Sequence, residues 1–239
     1  LVHYPACANI RREGPYNVGE GVGHHDLVIT KDHKKNIAEL SINRATDVLR
    51  IVQKRCLILA QDRCLLYTSM FFNWGMTAGA SIPHPHYQVL TMPIIPPDVH
   101  HSLSGSERYF KKHRRCVHCD MLAYERKFKK RIVAENPRAI AVAPFASREP
   151  FEVKVFPKKH FPFFEKTPFG DLKGTTAILQ AILKKMKRRL NDPDLNFYLH
   201  TGPLKNQDTY RHYHWHIEIV PRVTVLAGFE LGTGIEINV

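Results

Sequence analysis

No apolar run in the 239-residue chain approaches the ~20 residues a helix needs to cross a bilayer, which excludes an integral helical membrane protein. Acidic residues are scarce: 22 Asp and Glu stand against 35 Lys and Arg, for a net charge of +13. Cysteine is sparse and odd in number, with five in all. A chain long enough to bury a core without cross-links does not need a disulfide framework, so reduced thiols are expected. Cys7, Cys56 and Cys64 read as isolated, buried small hydrophobes. Position 1 is Leu and no basic-then-apolar leader follows, so neither secretion nor a membrane partner is expected, and the cytoplasm is the expected compartment. The natural start is expected upstream. The closing GTGIEINV reads as a strand expected to continue.

What is present is globular: 44% hydrophobic and 24% charged residues, enough for one large domain or two of roughly 110–130 residues. The positive charge clusters at Lys111–Arg115, Lys127–Arg131 and Lys184–Arg189. Each cluster lies in or beside a helical pattern and reads first as a solvated face. The excess suits polyanionic substrates. The aromatic–basic interleaving of nucleic-acid readers is missing, so nucleic acid is not the expected partner. Fifteen histidines are the more unusual feature, because imidazole serves metals and phosphoryl chemistry near neutral pH.

The histidines expose a repeat. Alternation places His84, His86, Gln88 and Leu90 on one face of a strand. His214, His216 and Glu218 repeat that spacing, and Pro221 closes the second strand. A matching block precedes each. In the first half a strand at Asp26–Thr30 leads to His33. A helix capped by Ser41 follows, with Ala45, Val48, Leu49, Val52, Cys56 and Leu59 on one face, and then a buried strand over Leu65–Phe72. In the second half a strand at Phe151–Phe156 leads to His160. A helix follows from about Asp171, carrying Leu172, Leu179, Ile182, Leu183, Met186 and Leu190, and then a strand at Asn196–His200. The pattern predicts an α+β fold of two duplicated units, residues 1–105 and 106–239, each an antiparallel sheet with a packed helix.

HPHYQ at His84–Gln88, the upstream Asn73-x-Gly75 and Ser81, the PxxH at Pro157–His160 and the terminal Gly228-Phe229-Glu230 together resemble the galactose-1-phosphate uridylyltransferase family. That family is a branch of the histidine-triad superfamily that also contains ADP-glucose phosphorylase. The resemblance runs from about Gly23 to the end. It implies a homodimer of duplicated histidine-triad units acting on nucleotide-sugars and sugar 1-phosphates.

In this reading His86 attacks the α-phosphorus of a nucleotide-sugar and carries the nucleotide until an acceptor collects it, with ping-pong kinetics. The resemblance assigns the His84 carbonyl to hold the other ring nitrogen's proton. Gln88 separates transferase from hydrolase. An amide cannot give up a proton near neutrality, but it can donate a hydrogen bond to a phosphoryl oxygen, which suffices for a weakly basic leaving group. Ser81 and Asn73 add neutral donors. Gly75, Phe229 and Glu230 complete the implied substrate contacts, Glu230 accepting from sugar hydroxyls. Thr224 stands where the family has a basic residue before GFE. Glu218 in place of Gln88 would repel a phosphate, so the second unit is expected to serve fold and metal binding.

The CxxC pair Cys116 and Cys119 lies between the units, and two thiolates so spaced reach one ion. The resemblance supplies His160 and His214 as the remaining ligands of a Cys2His2 site, with zinc the expected metal and iron the alternative. A competing quartet is His200, His214, His216 and a Glu. His33 and His84 match the first-unit ligands, but no upstream CxxC accompanies them. If that site is lost, His84 needs another partner to steady the reactive strand. The favoured function is UMP transfer between hexose 1-phosphates. The alternatives are phosphorolysis of ADP-glucose or a dinucleoside polyphosphate, and a zinc-stabilised nucleotide- or nucleic-acid-binding protein without turnover.

Overall fold

The computed structural model describes residues 7, 9–225, 227–235 and 237. A short hairpin, β1 (Arg11–Glu13) and β2 (Tyr16–Val18), precedes β3 (His24–Ile29), α1 (Ile42–Leu59), β4 (Tyr67–Trp74) and β5 (His86–Met92). Two helices follow, α2 (Pro97–His113) and α3 (Val117–Phe128), then a second hairpin, β6 (Ile132–Glu135) and β7 (Ala139–Val142). The rest of the chain holds β8 (Val153–Pro157), α4 (Phe169–Arg189), β9 (Leu195–His200), β10 (His216–Pro221) and α5 (Gly228–Thr233). No helix among the described residues is long and apolar enough to cross a membrane.

The predicted repeat is visible in the topology. β3–α1–β4–β5 and β8–α4–β9–β10 are the same succession, and eight strands form one antiparallel sheet in the order β3-β5-β4-β9-β10-β8-β7-β6. The halves meet edge to edge where β4 pairs β9, with Phe71 opposite Tyr198 and Asn73 opposite Asn196. Joining at that seam leaves no unpaired strand edge in the middle of the sheet.

Strand alternation divides the sheet into two faces. One carries Val28, Phe72, Tyr87, Val89, Phe197, Ile217 and Val155 into the main core. There α1 contributes Val48, Leu49, Val52 and Cys56, and α4 contributes Leu179, Ile182, Leu183 and Met186. Each such aliphatic side chain withdrawn from water contributes roughly 1.5–3 kcal/mol before its entropy cost. Ser41 caps α1 as expected, its side chain accepting from the Arg44 amide. The opposite face carries His86 and Gln88 in the first half and His216 and Glu218 in the second. Around Val99 and Leu103 α2 covers part of it, and α3 covers another part through Leu122 against Ile140, Val142 and Phe156. Near His86 it is open, with Leu27 49% and Ile29 58% exposed.

Three expectations are corrected. Cys7 and Cys64 are joined in a disulfide that ties the N-terminal segment to the turn after α1, so only Cys56, Cys116 and Cys119 are free. Linear spacing cannot reveal that the fold returns residue 7 to that turn. The final segment does not form a strand where it is described: Gly228–Thr233 is helical, and residues 236, 238 and 239 lie outside the described residues. Both HxH strands begin later than expected. β5 starts at His86 and β10 at His216, so His84 and His214 stand in the preceding turns.

Candidate active site and metal centre

The turn position of His84 gives it two jobs. Its main-chain oxygen lies 2.9 Å from His86 Nδ1, and its own ring Nε2 lies 2.7 Å from the Thr30 carbonyl oxygen. A carbonyl can only accept, so His86 Nδ1 carries a proton, and in the neutral ring the lone pair is then on Nε2. The same logic protonates His84 at Nε2. The His33 ring packs on His84 with centroids 4.5 Å apart. Thr30 and His33 are thus the partners that steady His84, and among the described residues no third ligand joins this pair into a metal cluster. The His86 ring lies on the sheet face opposite α1 and α4, 9% exposed.

A cavity of about 770 Å³ is lined by Asn73, Gly75, Ser81, His84, Asp192 and Asp194 among others; its wall runs through Pro85 to the start of β5 but includes neither His86 nor Gln88. Four of the predicted site residues therefore converge. Asn73 accepts at Oδ1 from Asn196 Nδ2 at 2.8 Å, leaving its own amide group free to donate. Gly75 has φ +86°, and a Cβ there would lie 1.8 Å from an oxygen of Asp194. That carboxylate accepts from the Thr77 amide and hydroxyl, so Gly75 makes room for the bond that shapes the loop. Gln88 Oε1 lies 2.9 Å from His25 Nε2. Phe229 and Glu230 do not line the cavity. Phe229 is exposed, and Glu230 accepts from the Ala227 amide at the start of α5. Thr224 bonds Glu149.

Sequence reasoning missed Thr30, His25, Asp194 and Asn196. Only strand register and the β4–β9 seam bring them to the site. The adjacent His24 and His25, just before the strand expected at Asp26–Thr30, were the available signal.

In the second half Cys116, Cys119, His160 and His214 place one ligand atom each within 4.8 Å of one another. Cys116 lies at the N-cap of α3, which starts the CxxC turn; His160 follows β8, and His214 precedes β10. His160 Nδ1 is 3.4 Å from Cys119 Sγ, and its Nε2 donates to the Arg211 carbonyl, which fixes the ring. The hydrogen bond from Cys119 holds the Cys116 thiol far below its usual range, aided by His160 and His214. The bond to that thiolate and burial push Cys119 up. Two cysteine sulfurs and two imidazoles so placed are the donor set of a tetrahedral soft-metal site, and the residues fit one.

The competing quartet separates. His214 joins the thiols, while His200, His216 and Glu218 form a second convergent group. There His216 Nδ1 donates to the His214 carbonyl at 3.1 Å, repeating the His86 arrangement. His216 is only 3% exposed, however, and the His118 ring of α3 lies 5.1 Å from it. Glu218 sits between Lys154 at 2.5 Å and His200 at 2.7 Å.

The sequence profile of a family described as a domain of unknown function (DUF4921) matches residues 20–239. A solved structure of ADP-glucose phosphorylase from Arabidopsis thaliana with bound ADP-glucose superposes with a TM-score of 0.84 at 34% identity, covering 90% of this chain and 69% of that one. The chain belongs to the galactose-1-phosphate uridylyltransferase-like family. Over 222 residues it is 36% identical to the Arabidopsis ADP-glucose phosphorylase, covering 91% of this chain and 61% of that protein. It is 26% identical over 243 residues to a galactose-1-phosphate uridylyltransferase from Thermotoga maritima, covering 98% of this chain and 76% of that protein. The chain therefore spans about three fifths of the length of the plant relative. The α+β fold expected from the repeat is that of the family.

Proposed function

We propose that the protein is a nucleotidyltransferase that passes a nucleoside monophosphate through His86. The observation that carries the reading is the contact between His86 Nδ1 and the His84 carbonyl at 2.9 Å, which in the neutral ring puts the lone pair on Nε2, on the sheet face opposite α1 and α4.

The chemistry balances in two steps. His86 Nε2 forms a bond to the α-phosphorus of a nucleoside-diphosphate sugar, and the bond from that phosphorus to the bridging oxygen breaks. The sugar 1-phosphate departs with the electron pair. A phosphate oxygen of the acceptor then attacks the same phosphorus and the nitrogen–phosphorus bond breaks, returning His86 to its starting state. Gln88, Asn73 and Ser81 act as neutral donors to the phosphoryl oxygens, and no side chain has to protonate so weak a base as a sugar phosphate. Gly75 belongs to the substrate-binding loop. Phe229 and Glu230 reach the sugar only if the C-terminal segment comes from a second copy or closes on substrate.

The greater identity to ADP-glucose phosphorylase favours an adenylyl group, with inorganic phosphate or a sugar phosphate as acceptor. Uridylyl transfer between hexose 1-phosphates is the second reading, supported by the match along nearly the whole chain to the Thermotoga protein. We further assign a structural zinc to Cys116, Cys119, His160 and His214, which would cross-link α3 to the sheet, and a duplicated origin to residues 1–105 and 106–239. The exposed Leu27, Ile29 and Leu90 beside the site support a homodimer.

The test is intact-protein mass after incubation with ADP-glucose or UDP-glucose, followed by peptide mapping. One nucleotidyl group on His86, released by phosphate or a sugar 1-phosphate and lost in His86→Gly, is the expected result. A native protein that forms no adduct with either sugar nucleotide overturns the reading.

A further inference from the structure

Gln88 can serve a phosphate only if its amide is turned the right way. The nitrogen end donates to a phosphoryl oxygen, whereas the oxygen end would repel it. In solution the two orientations of a glutamine amide are close in energy, so something must choose between them.

His25 is placed to choose. β3 is the edge strand of the sheet and pairs with β5, with Leu27 opposite Gln88 and His25 opposite Leu90. His25 and Gln88 are therefore diagonal neighbours on one face, a spacing long side chains can bridge. Gln88 Oε1 lies 2.9 Å from His25 Nε2. An edge strand could fray, but this one is pinned from its other face: Arg55 of α1 reaches Asp26 Oδ2 with Nε at 2.9 Å and Nη2 at 2.7 Å. The neighbour of His25 is thus tied to the helix layer, and the imidazole is held at a set height over β5.

We propose that His25 is a positioning residue for Gln88: its Nε2–H donates to Gln88 Oε1 and so presents the Gln88 amide N–H to the phosphoryl group under attack. The inference rests on the reading of His86 as nucleophile, and it assigns His25 no contact with substrate. It explains how an amide at the third position of the motif is kept productive without an acid: the strand next door fixes its direction before substrate arrives.

The experiment is single-turnover nucleotidylation followed by quench and intact mass, with ADP-glucose and UDP-glucose. His25→Ala should slow adduct formation about tenfold at saturating sugar nucleotide, the scale of one neutral hydrogen bond, with half-saturation little changed. His25→Gln, whose amide nitrogen can occupy the place of Nε2, should recover most of the rate. In a Gln88→Ala background, His25→Ala should have no further effect, because the two residues act as one unit. Thermal midpoints of all variants show whether the loss is merely structural. A native rate in His25→Ala, no recovery in His25→Gln, or losses that add with those of Gln88→Ala overturn the role of His25 while leaving the nucleophile standing. Absence of any adduct in the native protein removes both.

Discussion

Asn196 of β9 donates through Nδ2 to Asn73 Oδ1 of β4 at 2.8 Å, directly across the seam where the two halves of the sheet meet. The same nitrogen reaches the Ala78 carbonyl at 2.8 Å, and Arg222 donates to Asn196 Oδ1 at 2.6 Å. A residue of the second half thus turns a candidate phosphate donor of the first half and anchors the loop that lines the cavity. Asn196→Ala would strip two acceptors of their donor at a buried position. It should destabilise the protein by roughly 1–3 kcal/mol in denaturant unfolding and slow nucleotidylation at His86 severalfold. An unchanged rate in a destabilised variant would separate the seam from the site.

Gly75→Ala tests whether that glycine acts by contact with substrate or by leaving space. At φ +86° a Cβ is strained, and it would collide with the Asp194 carboxylate that holds Thr77. The cost should be at least about 1–3 kcal/mol, the scale of a non-glycine residue forced into this region. If the role is steric, Asp194→Ala together with Gly75→Ala should be less harmful than the two single losses combined. Melting curves of the three variants decide it.

How far the sequence could be read depended on the kind of signal. Apolar spacing revealed α1 and α4, because half-buried helices must repeat Val48, Leu49, Val52 and Leu179, Ile182, Leu183 at turn intervals. The duplicated HxH pattern revealed the succession of elements along each half, and the CxxC, with the His160 and His214 that the family resemblance supplied, revealed a donor set that the fold does assemble. The turn placement of His84 was not legible, since alternation continues through a Pro that cannot join the ladder at that point. The pairing of Cys7 with Cys64 and the meetings of Gln88 with His25 and Asn73 with Asn196 depend on which strand lies beside which. That is set by the packing of the whole core, not by any local run of residues.

The second half supplies an internal comparison for the nucleophile. His216 repeats the ring-to-carbonyl bond of His86, but it lies under α3, and Glu218 replaces Gln88. Peptide mapping should therefore find nucleotide on His86 and none on His216, in the native protein and in Glu218→Gln alike. The variant should instead lose about 2–3 kcal/mol of stability, because Lys154 and His200 lose a buried charged partner. Nucleotide recovered on His216 would show that the second unit retains its own reactive centre.

Metal analysis separates the two candidate ligand groups. If Cys116, Cys119, His160 and His214 hold the ion, Cys116→Ser should lower bound metal, read by elemental analysis, and lower the melting temperature together, since the ion fastens α3 to the segments that follow β8 and precede β10. His200→Gln should leave that metal content unchanged, because its ring belongs to the neighbouring group with His216 and Glu218. The sign of the pH effect follows from the donors. Binding requires thiolates and neutral imidazoles, so acid competes with the metal and release on titration should sharpen as the cysteines and His160 take up protons. A strong chelator at neutral pH should reproduce the stability loss of Cys116→Ser in the native chain and have no added effect in the variant. Full retention of the ion in Cys116→Ser, or its loss in His200→Gln alone, would move the site to the second group.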